Sequence, residues 1–329
     1  MRNATIISSG SYAPSRVLPN SYFNELLGED VDTWLRENLT IRERRWCAED
    51  ESTADLCVHA AENALKNAGI KAEQIKLLII STDTPEYVSP STSSVVQYRI
   101  NAVNAATFDI NTACAGFVTA LNTAANYIKA DENYDFVMVI GAYAMSKYLD
   151  MTDKKTVTLF ADGAGAMILK ATEDDTQGSL TSSMYTEGQY AEWMGIYAGG
   201  THKPVTPEVI ANKDHLLKFV KKFPKEINPA TWTRMIRQAC EKAGVTPGQV
   251  DHYFFTQINI NSIRETLDNL NVEWSRAHTI MDRYGYTGSA CIPMAFDDAV
   301  KQEKLKKGDL VCFMGSGGGL AFAVALYRL

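Results

Sequence analysis

Hydrophobic positions along the chain follow two periods, one helical and one strand-like. Over residues 52–69, Ala54, Cys57, Val58, Ala61 and Leu65 recur at helical spacing and Asn67-Ala68-Gly69 supplies a stop, so this stretch predicts an amphipathic helix. Lys76-Leu77-Leu78-Ile79-Ile80-Ser81 and Thr107-Phe108-Asp109-Ile110 are short apolar runs, suited to strands buried on both faces of a parallel sheet. A helix follows the second run, from about Ala115 to Ala130. Phe117, Leu121, Ala125 and Ile128 mark its apolar face, and Ala120 and Ala124 allow close packing. Strands over Phe136–Gly141 and Gly165–Leu169 complete the first half.

The same plan then recurs. Helices are predicted over 231–244, from near Ile263, and over about 290–306. Strands are predicted over Val250–Phe255, Leu310–Met314 and Gly319–Leu326. The helix, Lys-Asn-Ala-Gly and strand sequence at 63–80 is echoed at 241–255 by helix, Glu-Lys-Ala-Gly and strand. Such an echo predicts two similar α/β halves, divided here as 1–172 and 173–329. A mixed segment at about 187–230, richer in aromatic residues and lysine, reads as an insertion in the second half.

Composition narrows the functional classes. The 329 residues are 46% hydrophobic and 22% charged, ordinary globular usage for a chain long enough to build a large core without staples. A net charge of −7 argues against a broad nucleic-acid footprint, so no nucleic-acid partner is expected. No apolar run reaches the ~18–20 residues of a membrane span, and the N-terminal residues lack a secretory pattern. A cytoplasmic location is expected. The six cysteines, Cys47, Cys57, Cys114, Cys240, Cys291 and Cys312, form neither a C-x-x-C pair nor a zinc-type cluster. They are read as reduced thiols, with no metal and no resident cofactor.

Cys114 differs from the other five in its flanks. In Asp109-Ile110-Asn111-Thr112-Ala113-Cys114-Ala115-Gly116-Phe117 it stands where an apolar strand gives way to a helix rich in small residues. There the first-turn N–H groups and the helix dipole favour thiolate, and a lowered pKa is the expectation. A packed core cysteine is the plain alternative. Phe313-Met314-Gly315-Ser316-Gly317-Gly318-Gly319 adds a glycine-rich turn between strands. Its backbone can approach a ligand closely, so the N–H groups of Cys114, Gly317 and Gly318 are candidates for an oxyanion hole. A tight bend made only for packing is the alternative there.

With these residues in place, the whole chain resembles the β-ketoacyl-acyl-carrier-protein synthase III group of the thiolase superfamily. The resemblance rests on Thr40-Ile41-Arg42-Glu43-Arg44-Arg45, Asn111–Phe117, Leu159-Phe160-Ala161-Asp162-Gly163-Ala164-Gly165-Ala166, Tyr284-Gly285 with Thr287, and the Gly315–Gly319 loop. It implies a duplicated five-layer α-β-α-β-α sandwich, a homodimer, and an acyl-carrier protein or coenzyme A thioester as substrate. Cys114 then matches the nucleophile that accepts the acyl group. Trp34 and Lys154 match coenzyme A contacts, and Asn259 and Arg264 fall in the carrier-protein and coenzyme A region. The loop Thr84–Pro90, with Ser89 at its tip, resembles the one that floors the partner's acyl pocket.

Two catalytic positions depart from the pattern. Thr256 stands where the resemblance expects histidine, and Tyr286 where it expects asparagine. A threonine hydroxyl has no useful titration, and a tyrosine with an ordinary pKa near ~10 is a poor base at neutral pH. Two hydroxyls can polarise a carbonyl but cannot replace a general base. Among the five histidines, His252 lies about 13 Å from Thr256 along a strand, and His59 falls on a predicted surface helix. His202 and His215 lie in the insertion, and His278 has no predicted place. Asn38 and Asn261 also replace expected arginines, with Arg36 and Arg264 nearby. Two readings follow: an acyltransferase working through Cys114, or an impaired acyl-binding or partner subunit of a heterodimeric ketosynthase.

Overall fold

The computed structural model describes residues 2–329. In chain order the first half holds β1 (Asn3–Tyr12), β2 (Arg16–Pro19), α1 (Asn20–Leu27), α2 (Asp32–Leu39), β3 (Glu43–Trp46), α3 (Thr53–Ala68) and β4 (Leu77–Ser81). It continues through α4 (Thr92–Arg99), β5 (Ala106–Ile110), α5 (Gly116–Ala130), β6 (Phe136–Ala144), α6 (Lys154–Val157) and β7 (Asp162–Thr172). Next come β8 (Gly178–Thr186), β9 (Met194–Gly195), α7 (Pro207–Ala211), β10 (Lys218–Phe219), α8 (Ile227–Lys242) and β11 (His252–Phe255). The chain closes with α9 (Ile260–Leu270), α10 (Met281–Tyr284), α11 (Cys291–Lys301), β12 (Leu310–Gly317) and β13 (Ala321–Arg328).

Two sheets form the frame. The first runs in the order β1-β7-β6-β4-β5, with β6, β4 and β5 parallel. The second runs β8-β13-β12-β11 and repeats that order one strand short. The place of its fifth strand is held by a single parallel bridge between Tyr253 and Ala277. Helices α5 and α11 lie between the sheets, α3 and α4 cover the first, and α8 and α9 cover the second. The result is the five-layer α-β-α-β-α sandwich, with Phe117, Leu121, Phe254 and Phe313 in its central core. Among the described residues, no helix is long and apolar enough to cross a membrane.

Local chemistry explains most boundaries. The Ser52–Asp55 capping box opens α3, and Gly69 closes it at φ 66°, a left-handed conformation that glycine adopts without steric cost. Strand β4 is buried at every residue, as its unbroken apolar run requires. Arg44, in the motif that carries the resemblance, is buried and donates to Asn20 Oδ1 and the Thr158 carbonyl, both at 2.7 Å. It ties the α1–α2 unit to the segment preceding β7.

Four expectations need correction. The Thr107–Ile110 run is not buried on both faces: β5 is the edge of its sheet and half-exposed. The helix expected at 231–244 begins at Ile227, inside the supposed insertion. The one expected to run to 306 ends at Lys301, where the chain turns toward Gly308. Gly315 and Gly317 belong to β12, so the glycine turn is shorter than the sequence suggests.

His278 finds its place beside this frame. Its Nε2 lies 2.7 Å from Asp298 Oδ2, and Arg283 donates to both oxygens of the same carboxylate at 3.1 and 2.9 Å. Burial alone would raise the Asp298 pKa, but these hydrogen bonds outweigh it and pull the carboxyl down to about 2. A depressed carboxyl stabilises the fold above its ordinary pKa and loses that contribution as pH falls from about 4 toward 2. Asp298→Asn is therefore expected to cost about 1 kcal/mol at pH 7, discounted for partial exposure. It should also flatten the acid limb of stability in that window, as read by denaturant titration at stepped pH.

Candidate active site

The parallel strands β4, β5 and β6 release their chains at one edge of the first sheet, where ligands of such sheets commonly bind. Cys114 leaves β5 in a tight elbow. Ala113 sits at φ 46°, an uncommon conformation for a residue with a Cβ, and its N–H donates to Asn111 Oδ1 at 3.0 Å. Gly116 then starts α5 against the end of β4, where a Cβ would lie 1.9 Å from Ser81 Oγ.

From the other sheet, Gly317 presses onto this elbow. A Cβ built on it would lie 2.5 Å from Cys114 N, 2.7 Å from Thr112 O and 2.9 Å from Ala115 N. Only a glycine permits that approach. Gly318 turns instead toward Met194 of β9, whose carbonyl oxygen would lie 3.4 Å from an added Cβ. The same β9–β10 segment packs Phe219 onto Phe160, with ring centroids 6.1 Å apart, and Leu217 donates its N–H to Tyr148 O at 2.8 Å. It thus covers the site from the β9–β10 side.

Cys114 is 2% exposed. Burial pushes its thiol well above the usual range, the negative charge of Asp83 pushes it further, and a hydrogen bond with Tyr286 pulls back only in part. The expected thiolate is thereby corrected: desolvation of the sulfur overrides the helix end. Burial and the neighbouring cysteine likewise hold Tyr286 far above its ordinary value, so its hydroxyl keeps its proton. Its ring packs against Phe160 and Tyr143, with centroids 5.4 and 6.4 Å apart. Its backbone exchanges hydrogen bonds with Leu159 and Ala161.

Thr256 is fully buried, and its hydroxyl oxygen also serves the backbone. Its Oγ1 accepts from Ser316 N at 2.9 Å, and its own N–H donates to Met314 O at 3.0 Å. Threonine here holds the end of β12, and with it Gly317, in place. Neighbouring Gln257 braces the same turn, accepting from Ile280 N at 2.8 Å and donating to His278 O at 3.2 Å.

The residues matched to coenzyme A and carrier contacts lie on α2, α9 and α6. Trp34 is 57% exposed on α2, and Asn261 reaches across from α9 to donate to Asn38 O at 3.3 Å. Asn259 serves as the N-cap of α9, accepting from Asn261 N at 3.0 Å. Arg264 lies over the Trp274 ring, 5.3 Å from its centroid. Lys154 pairs with Glu29 at 3.0 Å and Arg36 with Asp32 at 2.7 Å, so both cations are already partnered. Ser89 lies at an exposed loop tip beside Val88, which is 90% exposed. The loop's base is fixed where Glu86 accepts from Ala54 N at 2.9 Å.

The other histidines are engaged or exposed. His252 pairs with Asp309 at 3.2 Å at the far end of β11 from Thr256. His59 packs at a tilt against Tyr12 on the outer surface, with ring centroids 4.5 Å apart. His202 is exposed and His215 half-buried in the insertion. Sequence reasoning missed Asp83, the acidic group whose charge raises the Cys114 thiol. Its signal was a lone carboxylate two residues beyond the wholly buried β4.

Comparison with known proteins agrees with this architecture. Residues 108–188 match the family described as 3-oxoacyl-[acyl-carrier-protein (ACP)] synthase III, and residues 240–329 match its C-terminal counterpart. The chain is 33% identical over 326 residues to the β-ketoacyl-[acyl-carrier-protein] synthase III of Aliarcobacter butzleri, covering 99% of this chain and 97% of that protein. The chain belongs to the β-ketoacyl-acyl-carrier-protein synthase III family. It is also 34% identical to acetoacetyl CoA synthase NphT7 of Streptomyces sp. strain CL190, covering 98% of this chain and 97% of that one. The crystal structure of 3-oxoacyl-[acyl-carrier-protein] synthase III from Aquifex aeolicus superposes with a TM-score of 0.89 at 31% identity, covering 99% and 100% of the two chains.

The Gly317 contact gives a direct prediction for this family member. Gly317→Ala places a methyl on the Cys114 amide and is expected to cost about 1–3 kcal/mol of stability. It should abolish acyl loading of the protein even where the variant remains folded, as read by thermal melts beside intact-mass spectrometry.

Proposed function

We propose that this protein is an acyltransferase in which Cys114 accepts an acyl group from a coenzyme A or acyl-carrier-protein thioester and passes it to an acceptor. The observation that supports the reading is the seating of the Cys114 amide against Gly317, which brings together the two backbone segments from which an oxyanion hole would be drawn. Cys114 and Gly317 are assigned to that hole, with Gly318 at its outer side. Attack by sulfur forms the new thioester bond as the carbon–sulfur bond to coenzyme A breaks. Tyr286, kept protonated beside Cys114, is assigned the role of donor to the charge as it moves from sulfur onto oxygen.

Decarboxylative condensation asks for more. An enolate developing from malonyl needs donors on the thioester carbonyl, and losing one well-placed donor costs about 10²–10³ in rate. Here two hydroxyls, on Tyr286 and Thr256, stand where the family pattern expects asparagine and histidine, and the Thr256 oxygen is also tied to Ser316 N. Acyl loading is therefore expected to proceed while malonyl condensation is weak. Trp34, Arg264, Lys154 and Asn259 are assigned to the rim that receives the thioester carrier, an assignment supported by exposure and by the α2–α9 junction. A homodimer joined along the β5 edge accounts for the half-exposed edge strand, and Ser89 would then line the partner's acyl pocket.

The raised thiol of Cys114 favours a second reading, a partner subunit that binds acyl chains for a catalytic relative. One preparation separates the two. With acetyl-coenzyme A, the wild-type protein should gain an acyl mass that Cys114→Ala abolishes. With malonyl-carrier protein, carbon dioxide release should run at least about 100-fold more slowly than loading. No adduct on the wild type would favour the partner-subunit reading. Rapid decarboxylation coupled to a β-ketoacyl product would refute the proposed impairment.

A further inference from the structure

A transfer through a neutral thiol needs somewhere to put the thiol proton, and the hydroxyls of Thr256 and Tyr286 offer no such place. The loop leaving β4 does. Ser81, the last residue of β4, pairs with Ile110 of β5 and Gly141 of β6, so the residues that follow emerge side by side at the same sheet edge. Asp83 emerges there from β4, Cys114 from β5, and Tyr143 lies near the end of β6. The turn around Asp83 is held rigidly. Thr84 N donates to Thr82 Oγ1 at 3.0 Å, Ala144 N donates to Thr84 Oγ1 at 2.9 Å, and Thr53 Oγ1 donates to Thr84 O at 2.6 Å. The carboxyl between these threonines takes a hydrogen bond from its own backbone N–H but keeps one oxygen unpaired: Asp83 Oδ1 is sealed from solvent and has no hydrogen-bond partner.

A carboxylate oxygen sealed from solvent and left unpaired is costly to keep, and this one emerges at the sheet edge that also carries the candidate nucleophile, whose thiol feels its charge. We propose that Asp83 is a further catalytic residue, the proton acceptor for Cys114 during acyl transfer, standing in for the base that Thr256 cannot supply. The inference rests on the acyltransferase reading above. As Cys114 Sγ attacks the thioester carbonyl, the S–H bond breaks and its proton passes to an Asp83 carboxylate oxygen. As the carbon–sulfur bond to coenzyme A breaks, that proton passes to the departing coenzyme A sulfur, so Asp83 returns to its carboxylate and no other reactant is consumed.

The chemistry of the pocket fits the role. Burial raises the Asp83 carboxyl from the ordinary aspartate range to about 6, close to the operating range that suits a general base. The titratable groups that feel its charge are Cys114, Tyr143 and Tyr148, all raised by burial and by Asp83 itself. Among the described residues, no lysine, arginine or histidine pairs with Asp83.

The test is the rate of acyl loading from acetyl-coenzyme A, followed by rapid quench and intact mass between pH 5 and 9. The wild type should show a rate that rises with a midpoint near pH 6. Asp83→Asn should load about 100-fold more slowly at pH 7 and lose that rising limb, and Asp83→Glu should recover part of both. A carboxylate that acted only as a neighbouring anion would give the opposite sign, because its removal eases ionisation of the thiol. Loading by Asp83→Asn at or above the wild-type rate would therefore overturn the inference while leaving the acyltransferase reading intact. Absence of any adduct on the wild type would remove that reading, and this inference with it.

Discussion

The contact on which the site depends is the van der Waals approach of Gly317, at the end of β12, to the peptide of Cys114, at the start of α5. The two elements belong to different halves of the chain, and no side chain separates them. The approach requires glycine at 317, a compact elbow at 111–115, and a fixed end to β12, which the Thr256 hydroxyl secures through Ser316. It also requires the two sheets to keep their spacing, and α5 and α11 set that spacing from within the central layer. The duplicated fold is therefore the means by which a nucleophile loop from one half meets a backbone cradle from the other.

The same closeness decides the charge state of the sulfur. A helix end stabilises a nearby anion by about 0.3–1 kcal/mol, up to about 2 in favourable partly buried geometry. Full burial of an ionisable group shifts its pKa by as much as about 3–5 units, at 1.36 kcal/mol each. Desolvation therefore wins over the dipole, and the negative charge of Asp83 adds to it. The pocket trades a ready thiolate for a dry one, and the proton must be managed by a neighbour.

What the sequence made legible was local. The capping residues and apolar face of α3, the buried run of β4 and the strand-to-helix position of Cys114 are all properties of contiguous residues, and they stand in the structure. The exposure of β5 was only hinted at by Thr107 and Asp109 within its run, and the order of strands is what places it at an edge. The commitment of Thr256 to Ser316 and the charge of Asp83 beside Cys114 join residues far apart in the chain, and no periodicity announces either. The lowered thiol pKa failed for a related reason: position at a helix start can be read from sequence, but the depth of burial cannot.

The central claim is that burial keeps Cys114 a neutral thiol in the resting protein. The pH dependence of its alkylation by iodoacetamide, followed by mass on the peptide carrying Cys114, tests this most directly. The account predicts a rate still climbing at pH 9, with no plateau below it. A rate that levels off with a midpoint at or below pH 7 would show a resting thiolate and contradict it.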